Sequence, residues 1–257
     1  MSESALLQDA KDGILVITFN RPEKYNAITF AMLKALSQAV DRFRDDDALG
    51  VLLLRATGRY YSAGLDLGEG LAPKTTSGVS FRNWYRRDIH LLFDEIEAIE
   101  KPIVSAIQGP CLGGALEMAL SCDFRLAAAS ARFGLPETSI GVLPGSGGMS
   151  RLTRLVGSAE TKWLVMAGQT ISAERALRVG LVHEVYADDA FEQACTAFAQ
   201  KLLAMPREAL GAGKVAIDAI EDVDRTTARQ IERLSNTPLS QSEEHRRLIE
   251  AFLDRKK

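Results

Sequence analysis

The feature that most constrains the fold is the stretch from residue 101 to residue 137, where a short apolar run leads into a glycine-rich turn. The apolar run covers residues 103–107, and Pro102 and Gly109 bound it. A short run between such boundaries is typical of a buried strand. The sequence therefore predicts a strand in the interior of the protein at this point.

The turn that follows this strand contains Gly113 and Gly114, and residues 115–121 are good helix formers. The first N–H groups of a helix lack partners within the helix and lie at the positive end of its dipole, so they suit an anion or a developing oxyanion. Glu117 lies about one turn along this helix, which predicts a carboxylate beside an anion site. A structural interpretation also fits, in which the glycines allow close packing and Glu117 complements the dipole.

The composition of the 257 residues is that of an ordinary globular protein, with 46% hydrophobic and 25% charged residues. This length predicts one large domain, or a domain with a helical appendage. The net charge of −3 gives no general attraction to nucleic acid or to an anionic membrane. No apolar run is long enough to span a bilayer, and the first residues do not resemble a secretory or transit peptide. We therefore expect a cytoplasmic protein with neither a nucleic-acid nor a membrane partner.

Several common cofactor sites find no support in the sequence. The three cysteines form no Cys-x-x-Cys pair, which predicts reduced thiols, and the three histidines lack metal-ligand spacing, so we expect no metal site. The segment Gly145-Ser146-Gly147 only partly matches the dinucleotide-binding fingerprint, because Ser150 stands where the third glycine belongs. The sequence also contains neither a P-loop nor a Gly-x-Ser-x-Gly nucleophile elbow.

The first half of the chain alternates strand and helix signals. Residues 13–20 and 51–56 predict strands, and Thr29 is placed to cap a helix between them. Strand, helix and strand in this order predict a right-handed crossover. The chain from Ser158 onward is predicted to be helical, including an amphipathic helix over residues 241–257.

The region between these two parts of the chain has the composition of an active-site wall. Residues 68–80 are rich in Gly, Ser, Thr and Pro and predict a mobile loop. Residues 81–100 resume helical periodicity, with Tyr85 on the apolar face that we expect in the core. Trp84, close to the loop, is the aromatic residue that we single out as a candidate for ligand contact.

Two loops and two glutamates together suggest a reaction class. Ala63 and Gly64 leave the backbone open to a ligand, as the helix start at Gly114 does. Two backbone N–H groups could polarise one carbonyl oxygen, and Glu117 and Glu137 could move protons at the neighbouring carbons. Such an arrangement favours chemistry through an enolate.

On these residues the chain resembles the enoyl-CoA hydratase/isomerase (crotonase) superfamily over nearly its whole length. The motifs that carry the resemblance are Asn20-Arg21-Pro22 with Asn26-Ala27, Ser62-Ala63-Gly64-x-Asp66-Leu67, Lys101-Pro102 to Ile107 with Gly109, Leu112-Gly113-Gly114 with Glu117 and Cys122-Asp123, Phe133-Gly134-x-Pro136-Glu137, and Leu143-Pro144-Gly145-x-Gly147-Gly148. The resemblance implies an α/β fold with a ββα spiral core over residues 1–195 and a C-terminal helical region over residues 196–257 that forms trimers or dimers of trimers.

The resemblance also implies a role for individual residues. Glu117 and Glu137 fall on the two catalytic glutamate positions of hydratases, and the N–H groups of Ala63 and Gly114 would form the oxyanion hole. The substrate would be an acyl-CoA thioester, with no separate cofactor. The residues that would contact it are Lys24, Tyr25, Ala27, Ala63, Gly64, Leu65, Asp66, Leu67, Gly113, Phe252 and Arg255.

Three functions remain open at this point. A 2-enoyl-CoA hydratase is favoured because both glutamates are present, whereas isomerases of the family commonly keep only one carboxylate, near the position of Glu137. The alternatives are a Δ3,Δ2-enoyl-CoA isomerase or another crotonase-type reaction, and a non-enzymatic acyl-CoA-binding scaffold. For the site residues a structural role is the alternative, such as a turn cap for Asp66.

Overall fold

The computed structural model describes residues 4–69 and 77–254. Its strands are β1 (Leu6–Lys11), β2 (Ile14–Phe19), β3 (Val51–Ala56), β4 (Ile103–Ile107), β5 (Cys111–Leu112), β6 (Phe124–Ala128), β7 (Arg132–Gly134), β8 (Ile171–Ser172) and β9 (Glu184–Tyr186). Its α-helices are α1 (Phe30–Asp45), α2 (Gly78–Tyr85), α3 (Leu91–Ala98), α4 (Gly114–Leu120), α5 (Gly148–Val165), α6 (Ala173–Arg178), α7 (Phe191–Leu203), α8 (Arg207–Ile220), α9 (Arg225–Gln241) and α10 (Glu243–Asp254). A π-helical turn (Arg86–His90) joins α2 to α3, and 3-10 turns cover Pro22–Lys24 and Pro136–Ile140.

The main sheet has six strands in the order β1-β2-β3-β4-β6-β9. β1 pairs antiparallel with β2, and every other neighbouring pair in this sheet is parallel. Parallel neighbours need a crossover connection, which α1 supplies between β2 and β3. The Thr29 side chain accepts a hydrogen bond from the Met32 N–H at 3.1 Å, so the predicted cap of this helix is confirmed.

Both faces of this sheet are covered by helices. Successive residues of a strand point to opposite faces, and β3 shows this clearly. Leu52 and Leu54 join the large apolar cluster that contains the buried face of α1, whereas Val51 and Leu53 join a second cluster with α7. The prediction of a strand buried on both faces is therefore confirmed for residues 51–54.

A smaller sheet places three loops side by side. Its order is β5-β7-β8, with β5 parallel to β7. Two isolated parallel bridges extend this arrangement, one between Ser62 and Cys111 and one between Ile28 and Leu65. The segments after β2, β3, β4 and β6 are thereby held next to one another, although they are distant in the sequence.

Several elements differ from the sequence-based expectations. β1 has no counterpart among the predicted strands, because Leu6 is its only buried residue and no alternation marks it. Residues 158 onward were expected to begin the helical region, but α5 already begins at Gly148, and its backbone is non-helical only at Gly157. Trp84 packs edge-on against Phe30 inside the core and does not line the cavity described below.

The C-terminal helices are mostly exposed in the single chain. α9 and α10 bury no residue, and their exposed apolar side chains include Leu234, Leu248 and Phe252. α8 is tied to the core by an ion pair of 2.9 Å between Lys214 and Asp123. The predicted boundary between residues 195 and 196 falls within α7, and the division into two parts stays a prediction.

Two further observations concern the whole described part of the chain. Its three cysteines are buried and form no disulfide. In residues 4–69 and 77–254, no helix combines the length and the apolar character needed to cross a membrane.

Candidate active site

A cavity of about 450 Å³ lies where the loops that follow the parallel strands meet. Its walls include most of the residues that the sequence predicts for the site. They are Ala63, Gly64, Leu65, Leu67, Gly113, Gly114, Glu117 and Glu137. The small sheet explains this assembly, because β5 leads into the two glycines and β7 leads toward Glu137.

Glu117 is almost completely buried, with only 3% of its surface exposed. Its Oε1 atom accepts hydrogen bonds from the Ser146 N–H at 2.7 Å and the Gly148 N–H at 3.0 Å. A Cβ atom at position 148 would lie 2.7 Å from this same oxygen, so only glycine allows the approach. The glycine-rich segment before α5 thus serves as a backbone cradle for a buried carboxylate.

The environment of Glu117 raises its pKa from 4.5 to about 7. Burial is the main cause, because it disfavours the charged form, and the nearby negative charge of Glu137 adds to it. The two backbone N–H groups act in the opposite direction, since they stabilise the carboxylate. The side chain can therefore change protonation state near neutral pH, as a group that moves protons must.

Glu137 lies opposite, in the 3-10 turn after β7. Its Oε2 atom is buried and has no hydrogen-bond partner among the residues that the structure describes. Burial raises the pKa of this carboxyl as well. Gly113 makes room for it, because a Cβ there would lie 3.0 Å from Glu137 Oε1 and the backbone has a φ of +57°. An unpartnered buried oxygen at a cavity wall is available to a ligand or a water molecule.

Two neighbouring backbone N–H groups, one at the start of α4 and one in the loop after β3, are available to bind an anion. The N–H of Gly114, in the first turn of this helix, has no partner among residues 4–69 and 77–254. The same holds for the N–H of Leu65 within that part of the chain. A Cβ atom on Gly114 would lie 3.8 Å from the Leu65 nitrogen, which shows how close the two donors are.

The structure moves the second donor away from the predicted residue. The Ala63 N–H donates to the Tyr25 carbonyl at 3.0 Å, so it is already engaged. In the bridge between Ile28 and Leu65, the Gly64 carbonyl and the Asp66 N–H both bond to Ile28. Because successive backbone groups of an extended segment point to opposite sides, the intervening Leu65 N–H faces away from Ile28. Ala63 therefore lines the cavity with its N–H already engaged, whereas the Leu65 N–H is left available to a ligand.

The remaining predicted contacts that the structure describes do not line the cavity. Arg21 donates to the Ala27 carbonyl at 2.7 Å and to the Asp66 carboxylate at 3.0 Å. The hydrogen bond from Arg21 to Asp66 is the main cause of the lowered pKa of Asp66. Asp66 also accepts from the Gly68 N–H at 2.9 Å, so its carboxylate holds a turn. These contacts fix the loops that flank the oxyanion donors.

The other predicted CoA contacts are spread over two regions. Lys24 and Tyr25 lie on the exposed turn beside the cavity, where the Tyr25 ring lies 4.7 Å from that of Tyr60. Phe252 is on α10 and 55% exposed. Arg255, and most of the predicted loop over 68–80, fall outside the described residues.

Some residues of the cavity were not singled out from the sequence. Most of these residues are apolar or aromatic, namely Phe81, Tyr85, Ile140, Val142 and Leu143. The helical periodicity around Tyr85 predicts a core position, so only the structure reveals that this residue lines the cavity. The cluster of glycines at 145–148 was a usable signal, because it marks a backbone free to donate N–H groups.

The described residues contain no group of three or more His, Cys, Asp or Glu side chains arranged to hold a metal ion. The polar groups of the cavity wall are two carboxyls, one phenol, the Ser139 hydroxyl, which donates to the Pro136 carbonyl at 2.6 Å, and backbone N–H groups. Such a set can polarise a carbonyl oxygen and exchange protons at adjacent carbons.

Comparison with known proteins agrees with this chemistry. Residues 9–257 match the enoyl-CoA hydratase/isomerase family. The chain is 33% identical over 249 residues to the short-chain-enoyl-CoA hydratase of Clostridium acetobutylicum, covering 96% of this chain and 94% of that protein. It is 32% identical over 257 residues to the 2,3-dehydroadipyl-CoA hydratase of Escherichia coli, covering 98% and 97%. The crystal structure of enoyl-CoA hydratase from Bacillus anthracis matches with a TM-score of 0.90 at 30% identity, covering 98% and 97%.

The chain therefore belongs to the enoyl-CoA hydratase/isomerase family and has the crotonase fold, which confirms the predicted α/β fold class. Membership supports an enzyme of the crotonase type that acts on a CoA thioester.

The burial of Glu117 predicts a pH-dependent stability. Because the folded pKa is about 7 and the ordinary value is 4.5, the folded state binds more protons between these values, and stability falls as pH rises through this window. Glu117→Gln removes the ionisation. We expect its free energy of unfolding, relative to the wild type, to increase by about 1–3 kcal/mol between pH 4.5 and pH 8. Chemical denaturation at both pH values and one protein concentration measures this.

The matched control is Glu174→Gln, on the exposed surface of α6. Its stability relative to the wild type should change little over the same pH range, because an exposed carboxylate stays solvated in both states. An equal pH response of the two variants would show that Glu117 does not carry the effect.

Proposed function

We propose that the protein is an enoyl-CoA hydratase, which adds water to a 2-trans-enoyl-CoA thioester and gives a 3-hydroxyacyl-CoA. The observation that carries the proposal is the presence of two carboxyls, Glu117 and Glu137, in the cavity that also holds the Gly114 helix start. One carboxyl would suffice for a proton shift, whereas hydration must deliver both a proton and a hydroxyl group to adjacent carbons.

In this proposal the thioester oxygen lies at the N–H groups of Leu65 and Gly114. When a nucleophile adds to C3, the π electrons shift toward this oxygen, which becomes negative. Donors that are already fixed in place stabilise that charge without reorganisation, and the helix dipole of α4 adds to them. Because both donors are backbone groups, the site does not depend on the side chain at either position.

The two carboxyls then transfer the protons. One carboxylate takes a proton from water while the water oxygen forms its bond to C3. The other carboxyl gives a proton to C2 of the enolate, and the electron pair returns from the thioester oxygen. The sum is one water added across the double bond, with each carboxyl changed by one proton. The pKa of Glu117, raised to about 7, lets this carboxyl exchange protons near neutral pH, and burial raises the pKa of Glu137 as well.

The walls of the cavity suit an apolar acyl group. Leu67, Phe81, Ile140 and Leu143 line it with apolar surface. Such walls exclude bulk water, which strengthens the electrostatic interactions inside. CoA is part of the substrate in this proposal, so no separate cofactor is needed.

The second candidate is a Δ3,Δ2-enoyl-CoA isomerase, which Glu137 favours because its unpartnered Oε2 could shuttle a proton by itself. The family includes both activities. A scaffold that binds acyl-CoA without turnover is the non-enzymatic alternative. The cytoplasmic location and the lack of nucleic-acid and membrane partners stay predictions.

Turnover of a panel of 2-enoyl-CoAs, followed by loss of the ultraviolet absorbance of the conjugated thioester, tests the function directly. We expect Glu117→Gln and Glu137→Gln each to lower kcat by roughly 10²-fold or more, because each removes a positioned acid or base. Binding of the CoA ester, measured by calorimetry, should change little. A fully active Glu117→Gln beside an inactive Glu137→Gln would favour the isomerase instead.

The oxyanion hole has its own test. Gly114→Pro removes the backbone N–H at the first helical position, where proline is tolerated. We expect a folded protein by circular dichroism with kcat lowered by about 10²- to 10³-fold, as for loss of one oxyanion donor. Gly114→Ala is the control, because it keeps the N–H and its Cβ would meet Leu65 Cγ at an ordinary 3.4 Å. Near-normal turnover of the proline variant would exclude this site.

We further propose that the chain self-associates as a trimer or a dimer of trimers through its C-terminal helices. The support is the apolar surface that α9 and α10 leave exposed, including Leu234 at 73% and Phe252 at 55%. Burying such surface drives most protein association. Sedimentation should give a mass of three or six chains at micromolar concentration. A stable, active monomer would remove the proposed role of these helices.

A further inference from the structure

Tyr85, the last residue of α2, is held rigidly at the wall of the active-site cavity. Its ring stacks on Phe81 with centroids 5.3 Å apart and an interplanar angle of 22°. The ring of His90 packs edge-on against it at 4.8 Å. Contacts on both sides fix the ring, so the position of the phenol oxygen is determined by packing.

The phenol oxygen already accepts a hydrogen bond, whereas its proton has no acceptor in the described part of the chain. The Ser146 hydroxyl donates to it at 2.9 Å. The backbone of Gly145 lies against the same oxygen, since a Cβ there would be 3.2 Å from it. A phenol can donate one hydrogen bond, and no residue between 4 and 69 or between 77 and 254 receives it. The cavity is the remaining direction for that donor.

The electrostatic environment keeps this phenol protonated. Its pKa is raised mainly by burial, and the negative charges of Glu117 and Glu137 add to the shift. Both carboxyls are therefore close enough to influence Tyr85. The Tyr85 O–H thus adds an uncommitted donor to the cavity beside the two carboxyls and the backbone N–H groups, whereas the Ser139 hydroxyl already donates to the Pro136 carbonyl at 2.6 Å.

The reaction proposed above needs such a donor. A water molecule has two protons and two lone pairs. If the two carboxyls take its two hydrogen bonds, both lone pairs remain undirected. A donor bound to one lone pair leaves the other to face C3, which fixes the water in the geometry of attack. Of the cavity groups, the Tyr85 hydroxyl fits this role, because the Leu65 and Gly114 N–H groups are placed for the thioester oxygen and the Gly145 N–H is directed at Tyr85 itself.

We propose that Tyr85 is a further catalytic residue, whose hydroxyl donates a hydrogen bond to the water that adds to C3 and then to the 3-hydroxyl group of the product. This inference rests on the proposed hydratase function. It also assigns a recognition element to the site, since a 3-hydroxyacyl group gains a hydrogen bond that a saturated acyl group lacks.

A structural role for Tyr85 makes a different prediction. Tyr85 could act only through Ser146, whose backbone N–H holds Glu117. Deleting either side chain oxygen would then have the same effect. The two interpretations are separated by comparing Tyr85→Phe, which keeps the ring stack, with Ser146→Ala, which keeps the phenol proton and the backbone N–H.

The experiment measures kcat, KM and ligand affinity for these variants. For Tyr85→Phe we expect kcat to fall about 10-fold or more, with KM for the enoyl-CoA little changed. The loss should be clearly smaller for Ser146→Ala. Tyr186→Phe, which changes a tyrosine on β9 away from the cavity, is the matched control and should behave as the wild type.

Binding gives a second readout that needs no turnover. Calorimetry compares a saturated acyl-CoA with the 3-hydroxyacyl-CoA of the same chain length. We expect the wild type to prefer the hydroxy compound, and Tyr85→Phe to lose roughly 3- to 10-fold of this preference, the usual range for one hydrogen bond.

Two results would overturn the proposal. One is an equal loss of kcat in Tyr85→Phe and Ser146→Ala, which indicates a structural role. The other is an unchanged kcat and an unchanged preference for the hydroxyacyl compound in Tyr85→Phe. A wild type that binds acyl-CoA but hydrates none would instead exclude the proposed function, and the binding comparison would then decide the role of Tyr85 by itself.

Discussion

Parallel pairing of the central strands is the constraint on which the rest of the molecule depends. Because β2, β3, β4 and β6 run in the same direction, the loops after their carboxyl ends all emerge at one edge of the sheet. Ligand sites of parallel sheets form at that edge. Here the small sheet and its two bridges fasten those loops together, so Leu65, Gly114 and Glu137 become neighbours. The geometry of the site is thus a consequence of strand direction and of a few short backbone pairings.

Most of the central fold could be predicted from local patterns, whereas some edges and connections could not. The apolar runs of β3 and β4 and the cap of α1 are strong signals, since burial on both faces leaves little else for such residues to do. β1 lacked a pattern because it is an edge strand with one buried side chain. In β6, Arg125 looks like a surface residue, but its guanidinium bonds the Leu181, Ala119 and Cys122 carbonyls and is buried with them.

The site shows the same division between side-chain identity and backbone direction. The glutamates Glu117 and Glu137 were found from spacing and resemblance, because a carboxyl near a helix start carries recognisable chemistry. That the Ala63 N–H is engaged while the Leu65 N–H is free could not be predicted that way. Which of two nearby N–H groups is free depends on how an extended segment pairs with its neighbour, and no property of the side chains records this. The hydrogen bonds from the Ser146 and Gly148 N–H groups to the Glu117 carboxylate, which is distant in the sequence, could not be predicted for the same reason.

The hydrogen bonds from the Ser146 and Gly148 N–H groups to Glu117 have a consequence for local opening of the protein. The segment before α5 closes over Glu117, and the closed form holds the carboxyl proton more tightly than an opened, hydrated form would, because burial raises its pKa. Opening of this segment is therefore linked to proton release, and it becomes easier as pH rises from about 4.5 to about 7. The cavity wall beside Glu117 thus loosens over the pH range in which the opened form has released this proton and the closed form still holds it. The charge on Glu117 and the local order of this wall are set by one ionisation and change in opposite directions.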